Sequence, residues 1–521
     1  MNTSNFLQVI NDGYNFKGES IELGGAVLDG EVVPGAMIKI PLKMFNRHGL
    51  IAGATGSGKT KTLQILAEQL SLKSVPVLLM DIKGDLSGIA VPGSMHPKIE
   101  ERHQKIGIPF APAGVPVELL SLSNEKGVRL RATVTEFGPV LFSKILALNE
   151  TQSGVVSIIF KYCDDQQLPL LDLDDFKKTL QYVSNEGKKD IEKEYGLVST
   201  ATVGSIMRKV VELEQQKADT FFGEPSFEVD DLCRLDEDGR GIVSIIRLTD
   251  IQDRPKLFST FMLQLLAEIY ATFPEAGDLD APKLVIFIDE AHLVFEEASD
   301  ALQSQLESII KLIRSKGIGV FFVTQSPSDI PNSVLGQLGM KIQHALRAFT
   351  AKDRKDIKLV AENYPLTDFY DIEKVITELG IGEAFVTVLN EKGIPTPLAY
   401  TMLRAPQSRM DILSQIEIDS LVARSALTRK YSSTFNRESA YEILSEKIDF
   451  AQQEEQQARL REEQQKAREA EMKASRSRTS GRSQKSTFEK VVTSSAGRTI
   501  ARELTRGLLG VLGIGGKRKL F

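Results

Sequence analysis

The stretch HGLIAGATGSGKTKTLQILAEQL at 48–70 contains Gly53-x-x-x-x-Gly58-Lys59-Thr60, a spacing of residue types that can hold a polyphosphate. Glycines let the backbone curl so that successive N–H groups point at phosphate oxygens. A helix starting near Lys59 adds its positive dipole end to the same spot. The expected cradle is Gly53, Ala54, Thr55, Gly56, Ser57, Gly58, Lys59, Thr60 and Lys61. Lys59 would reach the β- and γ-phosphates, and the Thr60 hydroxyl would ligate Mg2+. The alternative, a glycine-rich strand-to-helix turn with a chance lysine, does not account for the whole pattern.

Four apolar residues, Val285 to Ile288, run into Asp289-Glu290. Two acids at the end of a buried strand are costly without a cation, and nucleotide-bound Mg2+ would supply one. Asp289 is then the outer-shell metal residue. Glu290 is the general base that polarises the attacking water, which makes a binder into a hydrolase. Gln325, after the apolar VFFV run, can donate to the γ-phosphate or the water and so sense the phosphate. Asp81 and Lys83 end another apolar run and are candidates for the same site, whereas His292 reads as structural. A cation aimed at the γ-phosphate is also needed. Arg314 ranks first because it falls between the paired carboxylates and the glutamine strand; Lys316 and Arg347 are the other choices.

These groups need elements to position them. Apolar runs at 75–85, 241–248, 283–292 and 319–331, with IQHALRA and EAFVTVL, read as strands alternating with helices. That alternation predicts an α/β fold with a mainly parallel, doubly wound sheet. Glycine-broken alternation makes 1–45 a short β element. The core then occupies 46–138 and 236–440, interrupted at 139–235 by an all-α insertion in which Ser199 is an N-cap. Residues 441–487 read as a polar helix without a heptad seam, followed by a basic low-complexity linker. Residues 488–521 carry an apolar stripe beside Arg498, Arg502 and Arg506, an amphipathic basic helix.

The 521 residues carry a net charge of −6, with 42% hydrophobic residues. From Ala458 to Phe521, 16 lysines and arginines stand against 6 acids, so a basic tail follows an acidic body. Such asymmetry suggests contact of the tail with an anionic surface; a solvated extension is the plain alternative. Cys163 and Cys233 allow no disulfide framework, no signal peptide is legible, and no apolar run can span a bilayer. A cytoplasmic location follows from these readings. No Asn-Lys-x-Asp specifies guanine.

RHGLIAGATGSGKT, DIKGDL, FIDEAHLVF, LIRSKGIGVFFVTQSPSDIP and VLGQLGMKIQHALRAF together resemble the HerA-like helicase/ATPase family, part of the HerA/FtsK group of P-loop ATPases. The resemblance covers roughly 40–440. It implies a RecA-like core, ATP and Mg2+ as cofactors, a homo-oligomeric hexameric ring and translocation of double-stranded DNA. It also implies Arg314 as a finger donated to a neighbouring subunit's site. Members of this family usually carry an N-terminal β-barrel, and about 45 residues cannot build a full one. DEAH at 289–292 suggests a superfamily-two helicase, but no second motor domain follows. The serious alternative is an oligomeric ATP-driven switch or remodeller acting on a protein or envelope partner, since nothing in the body is strongly basic.

Overall fold

Continuous runs such as LVIFI and IGVFFVT have no polar side to show to water, so they fold as strands covered on both faces. In the computed structural model, which describes residues 3–122, 125–251, 255–295, 300–433 and 437–477, they lie at the centre of a twelve-stranded sheet. The strands are β1 (Ser20–Leu28), β2 (Glu31–Pro41), β3 (Gly49–Ala52), β4 (Val77–Asp81), β5 (Val117–Ser121) and β6 (Val128–Arg129). They continue as β7 (Val243–Arg247), β8 (Leu284–Ile288), β9 (Ile318–Thr324), β10 (Met340–Gln343), β11 (Glu383–Thr387) and β12 (Ala399–Leu403). Their order across the sheet is β2-β1-β12-β11-β10-β3-β9-β8-β4-β7-β5-β6. From β10 to β6 every pairing is parallel; from β10 back to β2 every pairing is antiparallel. The expected α/β fold with a mainly parallel sheet is present.

Side chains alternate between two cores. Leu78, Met80, Ile286, Ile288, Val320 and Phe322 enter one; Val77, Leu79, Val285, Phe287, Phe321 and Val323 enter the other. The first core continues into five helices between Val134 and Gln215, the all-α insertion. Their starts follow local chemistry. Thr133–Glu136, Asn149–Gln152 and Asp172–Asp175 form capping boxes, and Ser199 accepts from Thr202 N–H as its cap.

The amino-terminal segment holds a helix, Thr3–Gly13, before the β1–β2 hairpin, and β1 pairs with β12 to widen the central sheet. Phe6 and Ile10, one helical turn apart, are its buried contacts. The IQHALRA strand is shorter than expected, because β10 stops at Gln343 and the chain dips under the phosphate loop.

Residues 1–448 and 449–521 are separate units. The helix Ala440–Ser477 begins in the first. There Asp175 accepts from Ser439 Oγ (2.5 Å) and Tyr441 N–H (2.8 Å), fixing its first turn to the insertion. From Gln452 to Met472 every side chain is exposed, with i,i+4 ion pairs at Glu455–Arg459 and Glu462–Lys466. The helix runs on through Ser477, the start of the expected linker. The rest of that linker and the basic 488–521 helix lie outside the described residues.

Candidate functional site

Register places the site. Ala52 is level with Thr324 on one side and with Gln343 on the other, and Ile288 is level with Phe322. The carboxyl ends of β10, β3, β9 and β8 therefore line up, so the phosphate loop, Gln325, Asp289 and Glu290 leave the same edge of the sheet. One strand, β9, separates the loop strand from the carboxylate strand.

The loop is built by its glycines. Gly53, Gly56 and Gly58 have φ of 155°, 76° and 110°, and Gly58 caps the helix Lys59–Leu72. A Cβ on Gly53 would lie 2.5 Å from His344 Cβ, and one on Gly58 would lie 3.1 Å from Gly382 N. Backbone bonds hold the curl from below: Gly53 N–H donates to Thr324 O (3.3 Å), Ala54 N–H to Ala345 O (2.7 Å) and Gly382 N–H to Ser57 O (3.2 Å). Thr55 and Gly56 stay exposed at its mouth.

Lys59 is only 7% exposed and folds back on the loop, donating to Gly53 O (2.5 Å) and Ala54 O (3.1 Å). Burial, then the charge of Lys83, pushes its pKa down; Glu290 and Asp289 act the other way. A triphosphate would take over its hydrogen bonds. Thr60 sits in the first turn, half-buried. Lys61 turns elsewhere, donating to Met410 O (2.6 Å) and Gln64 Oε1 (3.2 Å).

Asp289 and Glu290 are buried, at 2% and 6% exposure. Burial, reinforced by Glu290, lifts the Asp289 carboxyl to about 6. Asp289 Oδ1 accepts from Glu290 N–H (2.9 Å), while Asp289 Oδ2 and Glu290 Oε2 have no hydrogen-bond partner. His292 Nδ1 approaches Glu290 Oε2 at 3.3 Å without hydrogen-bond geometry. Two orphaned carboxylate oxygens beside a phosphate loop fit a hard, oxygen-seeking cation such as Mg2+. Glu290 also has φ of 47°, the left-handed region that a glutamate rarely adopts, at a cost of roughly 1–3 kcal/mol.

Lys83 forms an ion pair with Glu290 Oε1. Burial alone would depress this lysine, but the bond to Glu290 and the charge of Asp289 outweigh it. Asp81 is what aims it. Its carboxylate accepts from the N–H groups of Gly84 (2.7 Å), Asp85 (3.1 Å) and Leu86 (3.2 Å), shaping the turn that carries Lys83. Asp81 therefore organises the loop. Burial and Asp85 push it up to about 7.

Gln325 follows β9 directly and is exposed, next to Thr324, whose hydroxyl is tied to Asp329 (2.5 Å). Sequence reasoning missed His344. It is fully buried under the loop, with Nε2 2.9 Å from Thr62 Oγ1, and burial pushes it down to about 4. No local signal marks it: it follows Met-Lys-Ile-Gln, and only the pairing of β10 with β3 brings it under the loop.

Arg314 is not in this group. It precedes β9, at the opposite end of the sheet, and seven strand residues span roughly 20 Å. It is exposed there and lines a cleft of about 690 Å3 with Arg47, Lys311 and Lys341. Burial, then the neighbouring Arg47 charge, pushes its pKa down. Lys316 is engaged, paired with Glu275 (3.1 Å) and lying over the Tyr270 ring. Arg347 donates to Thr377 O (2.7 Å).

Among known proteins, the chain is 25% identical over 370 residues to the DNA double-strand break repair helicase HerA of Saccharolobus solfataricus, covering 69% of this chain and 66% of that one. The HerA of Sulfolobus acidocaldarius is 22% identical with the same coverage. The chain thus spans just under two thirds of the length of these relatives. Among solved structures, the plasmid coupling protein TrwB in complex with ADP and Mg2+ matches with 14% identity and a TM-score of 0.48, over 76% of this chain and 97% of that chain. VirB4 of Thermoanaerobacter pseudethanolicus matches with 15% identity and a TM-score of 0.47, over 75% and 97%. The profile of the family described as Helicase HerA-like C-terminal matches residues 28–519. The chain belongs to the Helicase HerA-like C-terminal family and is a P-loop NTPase related to HerA helicases.

Proposed function

We propose that the chain is an ATP-hydrolysing motor that assembles as a ring and translocates double-stranded DNA. Lys59 and Thr60 bind the Mg2+–ATP phosphates, with Asp289 in the outer shell of the metal. Glu290 activates the water, and Gln325 senses the γ-phosphate. The observation that carries this reading is the separation of Arg314 from its own phosphate loop. With the loop, carboxylates and glutamine at one end of the strands and the exposed arginine at the other, the site is completed by a second copy. That arrangement calls for an oligomer whose copies meet head to tail, a ring if the rotation closes.

The family membership supports DNA as the substrate, and the two HerA relatives named above are described as DNA double-strand break repair helicases. The test is ATP turnover by the full chain with and without duplex DNA. Several-fold stimulation is expected. An unchanged rate would exclude the DNA motor and favour an ATP-driven remodeller of a protein or envelope partner.

A further inference from the structure

The net charge hides a second basic surface on the ATPase body, besides the cleft around Arg314. After β10 the chain passes His344 and Ala345 beneath the phosphate loop, turns through Arg347–Phe349, and enters the helix Ala351–Glu362. Thr350 and Asp353 form its capping box; Asp353 also accepts from Phe349 N–H (2.8 Å), so the turn is fixed to the helix. Ile357, Val360 and Ala361 face inward. Lys352, Arg354, Lys355 and Lys358 are all exposed. Their spacings of three and four put them on neighbouring positions of the outer face. None of these four forms an ion pair among the described residues. Of the three acids on the helix, Asp353 is engaged in the cap, and Asp356 and Glu362 line a groove with Pro327 and Pro331. Phe349, at the head of this face, is 88% exposed.

Four unpaired cations on one helix face, headed by an exposed aromatic ring, have the chemistry of a nucleic-acid contact. The cations suit phosphates, and the ring offers a surface to a base or sugar. A membrane-lying helix would need a free apolar face, but here Ile357, Val360 and Ala361 are turned into the protein and Leu359 is the one large apolar side chain left exposed on the helix. We propose that the Phe349 turn and the basic face of the helix Ala351–Glu362 bind the backbone of the nucleic acid on which the motor acts. This rests on the DNA-motor reading and places its track. It also supplies a route for coupling: Ala345 O is hydrogen-bonded to Ala54 in the phosphate loop, and Phe349 lies four residues on, at most about 14 Å of chain away.

The test uses the full chain with Lys352, Arg354, Lys355 and Lys358 all changed to alanine, and separately Phe349→Ala. Binding of a short labelled duplex is titrated with salt, alongside phosphatidylserine vesicles, oligomeric state, melting temperature and ATP turnover. The quadruple variant should keep the parental melting temperature, oligomeric state and basal turnover. It should lose more than tenfold in DNA affinity at low salt and lose DNA stimulation. Its log affinity–log salt slope should be shallower by about 2–4, since each phosphate contact contributes about 0.9. Phe349→Ala should weaken DNA binding with the slope unchanged. Parental affinity and slope in the quadruple variant would overturn the proposal. So would loss of vesicle binding or of assembly with DNA binding intact. If the parent itself binds no DNA at low salt, the motor reading fails and this surface with it. If the parent binds and the quadruple variant binds equally, only this surface is wrong.

Discussion

The two ends of the parallel sheet carry opposite chemistry. At the carboxyl ends, Asp81, Asp289 and Glu290 are buried around a loop shaped for phosphates. At the amino ends, Arg47, Lys311, Arg314 and Lys341 line an open cleft that contains no acid. His48 closes its floor as a neutral ring, accepting from Val320 N–H (3.0 Å) and lying 2.9 Å from Ile310 O; burial pushes it down to about 4. The cations at the carboxyl end, Lys59 and Lys83, are held by the loop and by Glu290, whereas the cleft at the amino end has no acid to hold its own. On the proposed reading each is half of a site, because the seven residues of β9 separate Arg314 from the phosphate loop of its own chain. The geometry favours a second copy over an internal rearrangement, because β9 links the two ends as a rigid, fully buried strand.

Breaking the acidic end should have the largest effect. Lys59→Ala should abolish tight ATP binding, because backbone N–H groups alone do not neutralise a triphosphate; calorimetric titration with ATP would show it, and unchanged affinity would remove Lys59 from the cradle. Glu290→Gln should bind ATP about as well as the parent and lose turnover by roughly 10²–10⁴-fold, the range for a lost general base. Parental turnover would place the base elsewhere. The smallest effect belongs at the other end. Lys316→Ala removes a cation already held by Glu275 and Tyr270, so turnover should stay within about twofold of the parent. A large loss would shift the role of the trans cation from Arg314 to Lys316.

The legibility of these ends differed in the sequence. β8 and β9 could be read because unbroken apolar runs ending in polar residues have few other folds. The phosphate loop was legible because its chemistry is local, eight consecutive positions serving one ligand. β6, two residues long, leaves no periodicity to detect, and the helix Thr3–Gly13 offers only Phe6 and Ile10 as buried contacts. His344, Gly382 and the Lys83–Glu290 pair depend on which strands become neighbours. That is settled by the sheet order and not by any local pattern. The basic face of the helix Ala351–Glu362 was hidden by the charge balance of the whole chain.

The central claim is that Arg314 completes a site on another copy, and subunit mixing tests it most directly. Arg314→Ala and Glu290→Gln should each turn over ATP poorly alone. Mixed under conditions that exchange subunits, they should regain part of the parental rate, because some interfaces then join an intact Glu290 to an intact Arg314. No recovery despite demonstrated exchange, or full turnover by a monomer, would contradict the account.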